Sequence, residues 1–208
     1  KNYNTTVSSL PRPEITMADV EMTWGDTDKS VTPTATIAGE AYEGEFTLTS
    51  SDPTNLQVDS DGKLTCNVPG TYTVTAAIAA TGTYQAAEKS CIVTVNKQDV
   101  VLTFDETEVV KMVEDGEYTQ TVNIEPAAYD GTISYEISGT GSATINASTA
   151  KVEFTETGVN TITATAPSTD LFNGNTASYT LKVKTTPTIT VADQTLAIGE
   201  TYKPTISG

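Results

Sequence analysis

The chain has 208 residues, a formal net charge of −16 and a pI near 4.1. That acidity excludes nucleic acid and anionic membrane surfaces as partners, since both need a basic face; with only 18% charged residues, the chain is not a disordered polyelectrolyte either. Histidine is absent, which removes Ser-His-Asp and Cys-His nucleophilic schemes and most zinc sites.

Threonine makes up about a fifth of the chain, and Val, Ile and Tyr are plentiful. These residues suit a pleated, half-buried surface. Residues 1–12 read as a loose leader, with Lys1–Asn4 as the start of a processed chain. Strands are then expected near Glu14–Ala18, Val31–Ile37, Glu45–Thr49, Leu56–Asp59, Lys63–Val68, Thr71–Ala79 and Lys89–Val95. Asp61-Gly62 marks a tight hairpin between two of them. Seven short strands separated by turn residues predict a two-sheet sandwich. No apolar run approaches about 18 residues, so no membrane-spanning helix is predicted.

The pattern then returns. Gly70-Thr71-Tyr72-Thr73-Val74-Thr75-Ala76 reappears 88 positions later as Gly158-Val159-Asn160-Thr161-Ile162-Thr163-Ala164. The same offset relates Lys63-Leu64 to Lys151-Val152, Tyr84 to Phe172, Ser90 to Ser178 and Val95 to Val183. Upstream it slips by one, with Ala41-Tyr42-Glu43-Gly44 matching Ala128-Tyr129-Asp130-Gly131. A third copy opens at Pro187-Thr188-Ile189-Thr190-Val191-Ala192-Asp193, echoing Pro13–Asp19. Fixed-period self-similarity of this kind is the mark of tandem modules. The expected division is leader 1–12, repeat 13–97, repeat 98–184 and the first strands of an incomplete repeat 185–208. Joints at Asn96-Lys97-Gln98 and Lys182–Pro187 are short and not Gly/Ser-rich, which predicts units held end to end with limited bending.

Alternation assigns the inner face. Tyr72, Val74, Ala76 and Ile78 point inward, matched by Ile162, Ala164 and Ala166. Cys91, Val93 and Val95 match Tyr179, Leu181 and Val183, while Leu64, Cys66 and Val68 match Val152 and Phe154. Threonine covers the outer face.

Ser50-Ser51-Asp52-Pro53, Val58–Leu64, Pro69–Ala76 and Gly82–Val95 resemble the tandem bacterial immunoglobulin-like repeats (group 2) of invasin- and intimin-like surface proteins, and the composition resembles that of cell-surface proteins of gut Bacteroidetes. The second unit keeps the Gly158 strand and the Phe172…Tyr179…Val183 ending; it departs at Gly139–Ala150, where the Asp-Gly turn is missing. The resemblance implies an all-β chain of tandem immunoglobulin-like β-sandwich domains, extracellular on a bacterial cell surface and non-enzymatic.

Candidate chemistry is sparse. Cys66 and Cys91 are the only cysteines, and the pair is open between a disulfide and two small buried thiols. Trp24 has no counterpart in the other copies, which makes it the single best ligand-contact candidate against packing on a neighbouring segment. Asp59-Ser60-Asp61-Gly62 reads as a hairpin rather than a calcium loop, because no bidentate Glu follows at the required distance. Asp105, Glu106, Glu108, Glu114 and Asp115 are candidate oxygens for junction calcium, against a solvated acidic rim. Tyr42/Tyr129 and Tyr84/Phe172 recur, which favours structural roles. Gly139-Thr140-Gly141 has no helix after it and cannot cradle phosphate. Paired carboxylates of the glycosidase type would need a cleft that a unit this small does not offer.

The expected function is a structural or adhesive segment, a stalk or cell-adhesion element, without cofactor or metal. Its partner is a host or neighbouring-cell surface protein or glycan, with no membrane insertion of this segment and a monomeric state. The alternative is a carbohydrate-recognition module of a polysaccharide-capturing surface protein.

Overall fold

The computed structural model describes residues 9–188 and 195–201. The chain divides into two compact units. Unit 1 runs to Asp99 and also contains Ser168–Asn173; unit 2 comprises Val100–Pro167 and continues from Gly174. Most of the expected third repeat, including 189–194 and 202–208, lies outside the described residues, as does most of the leader.

Unit 1 holds β1 (Glu14–Thr16), β2 (Val20–Thr23), β3 (Thr34–Ile37), β4 (Glu40–Ala41), β5 (Thr47–Ser50), β6 (Leu56–Val58), β7 (Leu64–Cys66), β8 (Gly70–Ile78), β9 (Ala87–Asn96) and β10 (Gln98–Asp99). Unit 2 holds β11 (Val101–Thr103), β12 (Glu108–Met112), β13 (Glu117–Thr119), β14 (Asn123–Glu125), β15 (Ser134–Gly139), β16 (Thr144–Ile145), β17 (Lys151–Glu153), β18 (Gly158–Ala166) and β20 (Asn175–Lys184); β19 (Phe172–Asn173) belongs to unit 1. A single 3-10 turn, Val113–Asp115, is the only helical element among the described residues.

All seven expected strands of the first repeat are present. The sequence reading missed β2, which completes a four-stranded sheet in the order β2-β9-β8-β5. Unit 2 repeats this sheet as β12-β20-β18-β15. The opposing strands form the sheets β1-β3-β4 and β6-β7 in unit 1, and β13-β17-β16 and β11-β14 in unit 2. The architecture is an all-β sandwich in each unit.

The centre of each sandwich is one long hairpin. β8 pairs with β9 from Gly70↔Val95 to Ile78↔Ala87, and β18 pairs with β20 from Gly158↔Val183 to Ala166↔Asn175. Every rung is shifted by the 88 positions read from the sequence. The one-residue slip upstream is also real: Leu48 faces Ala76, while Tyr135, 87 positions after Leu48, faces Ala164. Because alternate residues face opposite sides, this register puts Val74, Ala76, Val93, Ile162, Ala164 and Leu181 at 0% exposure. Thr71 and Thr73 lie on the open face.

Val68 is a correction. Expected inward, it is exposed, because β7 ends at Cys66. Beyond that point Asn67 donates its N–H to the Asn55 carbonyl, and the Val68 carbonyl turns toward Tyr72, accepting its hydroxyl at 2.6 Å. Alternation holds only while the chain stays in the ladder.

The Asp-Gly hairpin forms as expected. One Asp59 carboxylate oxygen accepts the N–H groups of Asp61 and Lys63 at 3.0 and 2.8 Å, and Gly62 sits at φ +83°. A Cβ there would lie 2.1 Å from the Val31 carbonyl oxygen. In unit 2 Asn146 does the same work, accepting from Ser148 and Thr149, and Ala150 takes the positive-φ position at 60°.

The two cores differ in polarity. By register, Val31, Leu48 and Cys91 correspond to Gln120, Tyr135 and Tyr179. Gln120 is satisfied, donating to the Glu106 carbonyl and accepting the Tyr118 hydroxyl, each at 2.9 Å. The Tyr135 hydroxyl accepts the Val122 N–H. Tyr179, 2% exposed, packs edge-on against Phe104 and Tyr118, but its hydroxyl has no partner among the described residues. Burial pushes its phenol far above the ordinary range, with Tyr118 and Tyr135 adding to the shift.

Two outcomes are expected from chemical or thermal unfolding. Gly62→Ala should destabilise unit 1 by about 2 kcal/mol or more, from left-handed strain plus the Val31 clash, whereas Gly82→Ala, with open space around it, should be near neutral. Tyr179→Phe should match or exceed wild-type stability by about 1 kcal/mol, because it removes an unpaired buried hydroxyl. The raised Tyr179 pKa favours the folded state fully below about pH 10; this is lost as pH climbs, since the unfolded chain ionises first. Tyr179→Phe should therefore move the alkaline unfolding midpoint upward, and an unchanged midpoint would count against this account.

Candidate functional site

Trp24 follows directly on β2. Its N–H donates to the Asn96 carbonyl at 2.8 Å, carrying the β2–β9 pairing one residue further. A tight turn then forms: Asp26 accepts the Thr23 N–H through its carboxylate at 2.9 Å and returns its own N–H to the Thr23 carbonyl at 3.0 Å. This fixes the indole at one end of unit 1. The ring meets Phe172 edge-on at 5.3 Å, and the indole N–H donates to the Asn67 carbonyl at 3.1 Å. Trp24 is half-buried, with its ring in contact with Phe172 and its donor engaged.

Phe172 arrives in unit 1 on the segment Ser168–Asn173 and is fully buried. β10 pairs with β19 in parallel, Gln98 donating its N–H to the Leu171 carbonyl at 3.0 Å. Lys97 donates its ammonium to the Thr169 carbonyl, and Asn173 donates to the Asp99 carboxylate at 2.7 Å. The sequence marks Asn96-Lys97-Gln98 as a short joint and gives Phe172 a structural role; it does not pair Phe172 with Trp24. The available signal was that the unique Trp precedes a polar turn and therefore needs apolar cover from elsewhere.

Cys66 and Cys91 are both free thiols. Cys66, half-buried on β7, donates to the Val68 carbonyl at 2.9 Å; Cys91, 3% exposed, lies on β9 in the other sheet. Burial raises both thiol pKa values, which disfavours the reactive thiolate.

Three of the five acidic candidates are individually engaged. Asp105 accepts from Asn123 at 2.7 Å, Glu108 pairs with Lys182 at 2.6 Å, and Asp115 accepts the Met112 N–H at 2.9 Å. Among the described residues no group of three or more His, Cys, Asp or Glu side chains is arranged to hold a metal ion. A shallow depression on unit 2 is lined by Asp115, Glu117, Ser142, Thr144, Glu153 and Phe154. Its carboxylates Glu117 and Glu153 share one partner, the Lys151 ammonium, at 2.6 and 3.0 Å. Two exposed carboxylates held by the same cation are not poised as an acid and a nucleophile.

The recurring tyrosines fold back over their glycines. A Cβ on Gly44 would lie 2.4 Å from the Tyr42 ring, and one on Gly131 would lie 2.1 Å from the Tyr129 hydroxyl oxygen. Tyr129 donates to the Pro167 carbonyl at 2.5 Å, and Tyr42 to the Glu45 carbonyl at 3.1 Å.

No family model matches the chain, and no curated protein does. Solved structures do. Domains 1–3 of the Drosophila N-cadherin extracellular region are 12% identical, with 84% of this chain and 68% of that one covered, at a TM-score of 0.35. A SusE-like surface-located polysaccharide-binding protein from the Bacteroides thetaiotaomicron heparin utilisation locus is 15% identical over 83% of this chain and 34% of that one, at 0.33. Domains 1–6 of the surface-layer protein SbsC are 17% identical over 88% and 29%, at 0.37. The chain therefore spans about a third of the length of the last two. No helix among the described residues is long and apolar enough to cross a membrane.

Trp24→Ala is expected to lower the stability of unit 1 by about 2 kcal/mol, since it removes a half-buried aromatic and an edge-on ring pair. Thiol titration in denaturant should find two reactive groups per chain, with slow labelling of Cys91 in the folded state; a single group or none would refute free thiols.

Proposed function

We propose that the chain is a non-enzymatic structural and adhesive segment of a bacterial cell-surface protein, of the immunoglobulin-like repeat type found in invasin- and intimin-like proteins. It is extracellular and monomeric, and it acts by withstanding tension. The observation that carries this reading is the parallel seam present in both units. β2 runs parallel to β9 from Val20↔Val93 to Thr23↔Asn96, and β12 runs parallel to β20 from Glu108↔Thr180 to Met112↔Lys184. In each unit the early strand of the sheet lies beside its last strand. Tension along the chain pulls these neighbours in opposite directions along their length. The rungs are then loaded together in shear rather than opened one by one.

Side chains brace the seam. Asp19 accepts the Ile92 N–H at 2.7 Å and Glu21 accepts from Asn96 at 2.8 Å in unit 1. In unit 2 Lys182 pairs with Glu108 at 2.6 Å and the Thr180 N–H reaches the Thr107 carbonyl. A catalyst has no evident use for a brace of this kind, whereas a stalk does. The carbohydrate-recognition reading rested on Trp24, and the engagement of both its ring and its donor supports a structural role there instead.

Single-molecule pulling from the chain ends tests the proposal. Two unfolding peaks of comparable force are expected. Asp19→Ala should lower the unit 1 peak and leave the unit 2 peak in place. Peaks indifferent to Asp19, or no resolved peaks, would overturn the seam as the working element. A glycan array giving specific binding that Trp24→Ala abolishes would favour carbohydrate recognition.

A further inference from the structure

The two sandwiches differ where β5 and β15 form the edge of the four-stranded sheet. In unit 2 Tyr135 closes that edge. Its ring reaches inward until the hydroxyl accepts the Val122 N–H at 3.2 Å, and its own N–H donates to the Ala147 carbonyl at 2.9 Å. Ala147 belongs to a hairpin that the Asn146 N–H closes on the Lys151 carbonyl at 2.8 Å. In unit 1 every one of these groups is replaced. Leu48 stands in the place of Tyr135, facing Ala76 as Tyr135 faces Ala164. Pro33 stands in the place of Val122: it precedes Thr34, which pairs with Thr16 as Asn123 pairs with Thr103. The hairpin closes from Asp59 to Lys63 and is one residue shorter, and among the described residues none of its carbonyls accepts an N–H from β5.

These replacements leave a cleft of about 440 Å³, bounded by Pro33, Phe46, Leu48, Ser60 and Asp61. Leu48 is half-buried there, where Tyr135 is 5% exposed. Proline has no N–H, so the missing phenol strands no donor at residue 33. The Leu48 N–H is different. Ser51 donates to the Thr73 carbonyl at 2.8 Å, so the bonds to β8 fall on alternate residues that leave Leu48 out. Its N–H therefore points off the edge, as that of Tyr135 does, and has no partner among the described residues.

We propose that this cleft is a docking site for an extended segment of a partner protein that carries a tyrosine. The ring enters between Leu48 and Pro33, and a main-chain carbonyl beside it accepts the Leu48 N–H, adding a strand to the open edge of β5. The occupant follows from what unit 2 holds in the same two places, a phenol ring and a peptide carbonyl; unit 1 supplies neither from its own described residues. The phenol hydroxyl finds no N–H at Pro33 and donates instead to the carboxylate of Glu45 or Asp61, both of which line the cleft. On a chain of net charge −16, those carboxylates favour a neutral or basic segment around the tyrosine. The cleft lies at the opposite edge of the sheet from the β2–β9 seam, so it goes beyond the tension-bearing reading and does not depend on it.

Backbone NMR of the full chain, titrated with the peptide acetyl-Thr-Tyr-Thr-amide, tests this. Saturable shifts are expected at the Leu48 N–H and at Phe46, Ser60 and Asp61, with a dissociation constant on the order of 1 mM for so small a ligand. Tyr135 and Val122 in unit 2 should stay unmoved. Acetyl-Thr-Ala-Thr-amide, with the same backbone and no ring, should give no saturable response, a comparison that needs no variant. Leu48→Tyr supplies the ring from within and should abolish the response to the tyrosine peptide, with circular dichroism confirming that the sheets are retained. No saturable shift at the cleft, an equal response to the alanine peptide, shifts spread over both units, or a response that survives in folded Leu48→Tyr would each overturn the proposal.

Discussion

The central hairpin is the constraint on which the rest of each unit depends. A ladder that runs the full nine residues of β8, and again of β18, leaves no freedom in register: a slip of one residue would turn Val74 and Ala76, or Ile162 and Ala164, out to solvent. At about 25 cal/mol per Å² of apolar surface, exposing even two such side chains costs several kcal/mol, comparable with the stability of a small domain. Once this hairpin is fixed, its two flanks become templates. One takes β5 or β15, and the other takes β2 or β12 in parallel.

The same frame tolerates different fillings. Unit 1 packs Val31 and Cys91 where unit 2 packs Gln120 and Tyr179. Gln120 fits because its amide is satisfied on both sides, accepting the Tyr118 hydroxyl and donating to the Glu106 carbonyl. Tyr179 is held by ring contacts instead, and its hydroxyl, like the side-chain amide nitrogen of Asn160, has no hydrogen-bond partner among the described residues. Sheet geometry thus answers to register, while core chemistry answers to local satisfaction of polar atoms.

Acidity and side-chain bracing suit a segment that works by geometry. Most carboxylates of interest hold a backbone N–H, an amide or an ammonium close by, as Asp19, Asp59, Asp105, Glu108 and Asp115 do. Exposed pairs such as Lys182–Glu108 contribute little to equilibrium stability. In the proposed tension-bearing role, their position beside a parallel seam would give them a different use, since a brace there resists sliding.

The sequence by itself determined whatever depends on neighbours a few residues apart. Period-two alternation marked the inner faces of β8, β9, β18 and β20; the 88-residue offset carried over to every rung of the central hairpins; Asp59 and Gly62 announced their turn. Tertiary structure decided what depends on residues far apart. Val20–Thr23 is too short to announce a strand, and it becomes one only because β9 offers a free edge more than 70 positions away. Val68 lost its inward place when the ladder ended at Cys66. The thiols of Cys66 and Cys91 came to lie on different sheets. Trp24 found its cover in Phe172, which no local pattern links to it. Local propensity is written in adjacent residues; long-range pairing is settled by which apolar surfaces and open backbone edges remain once the local elements have formed.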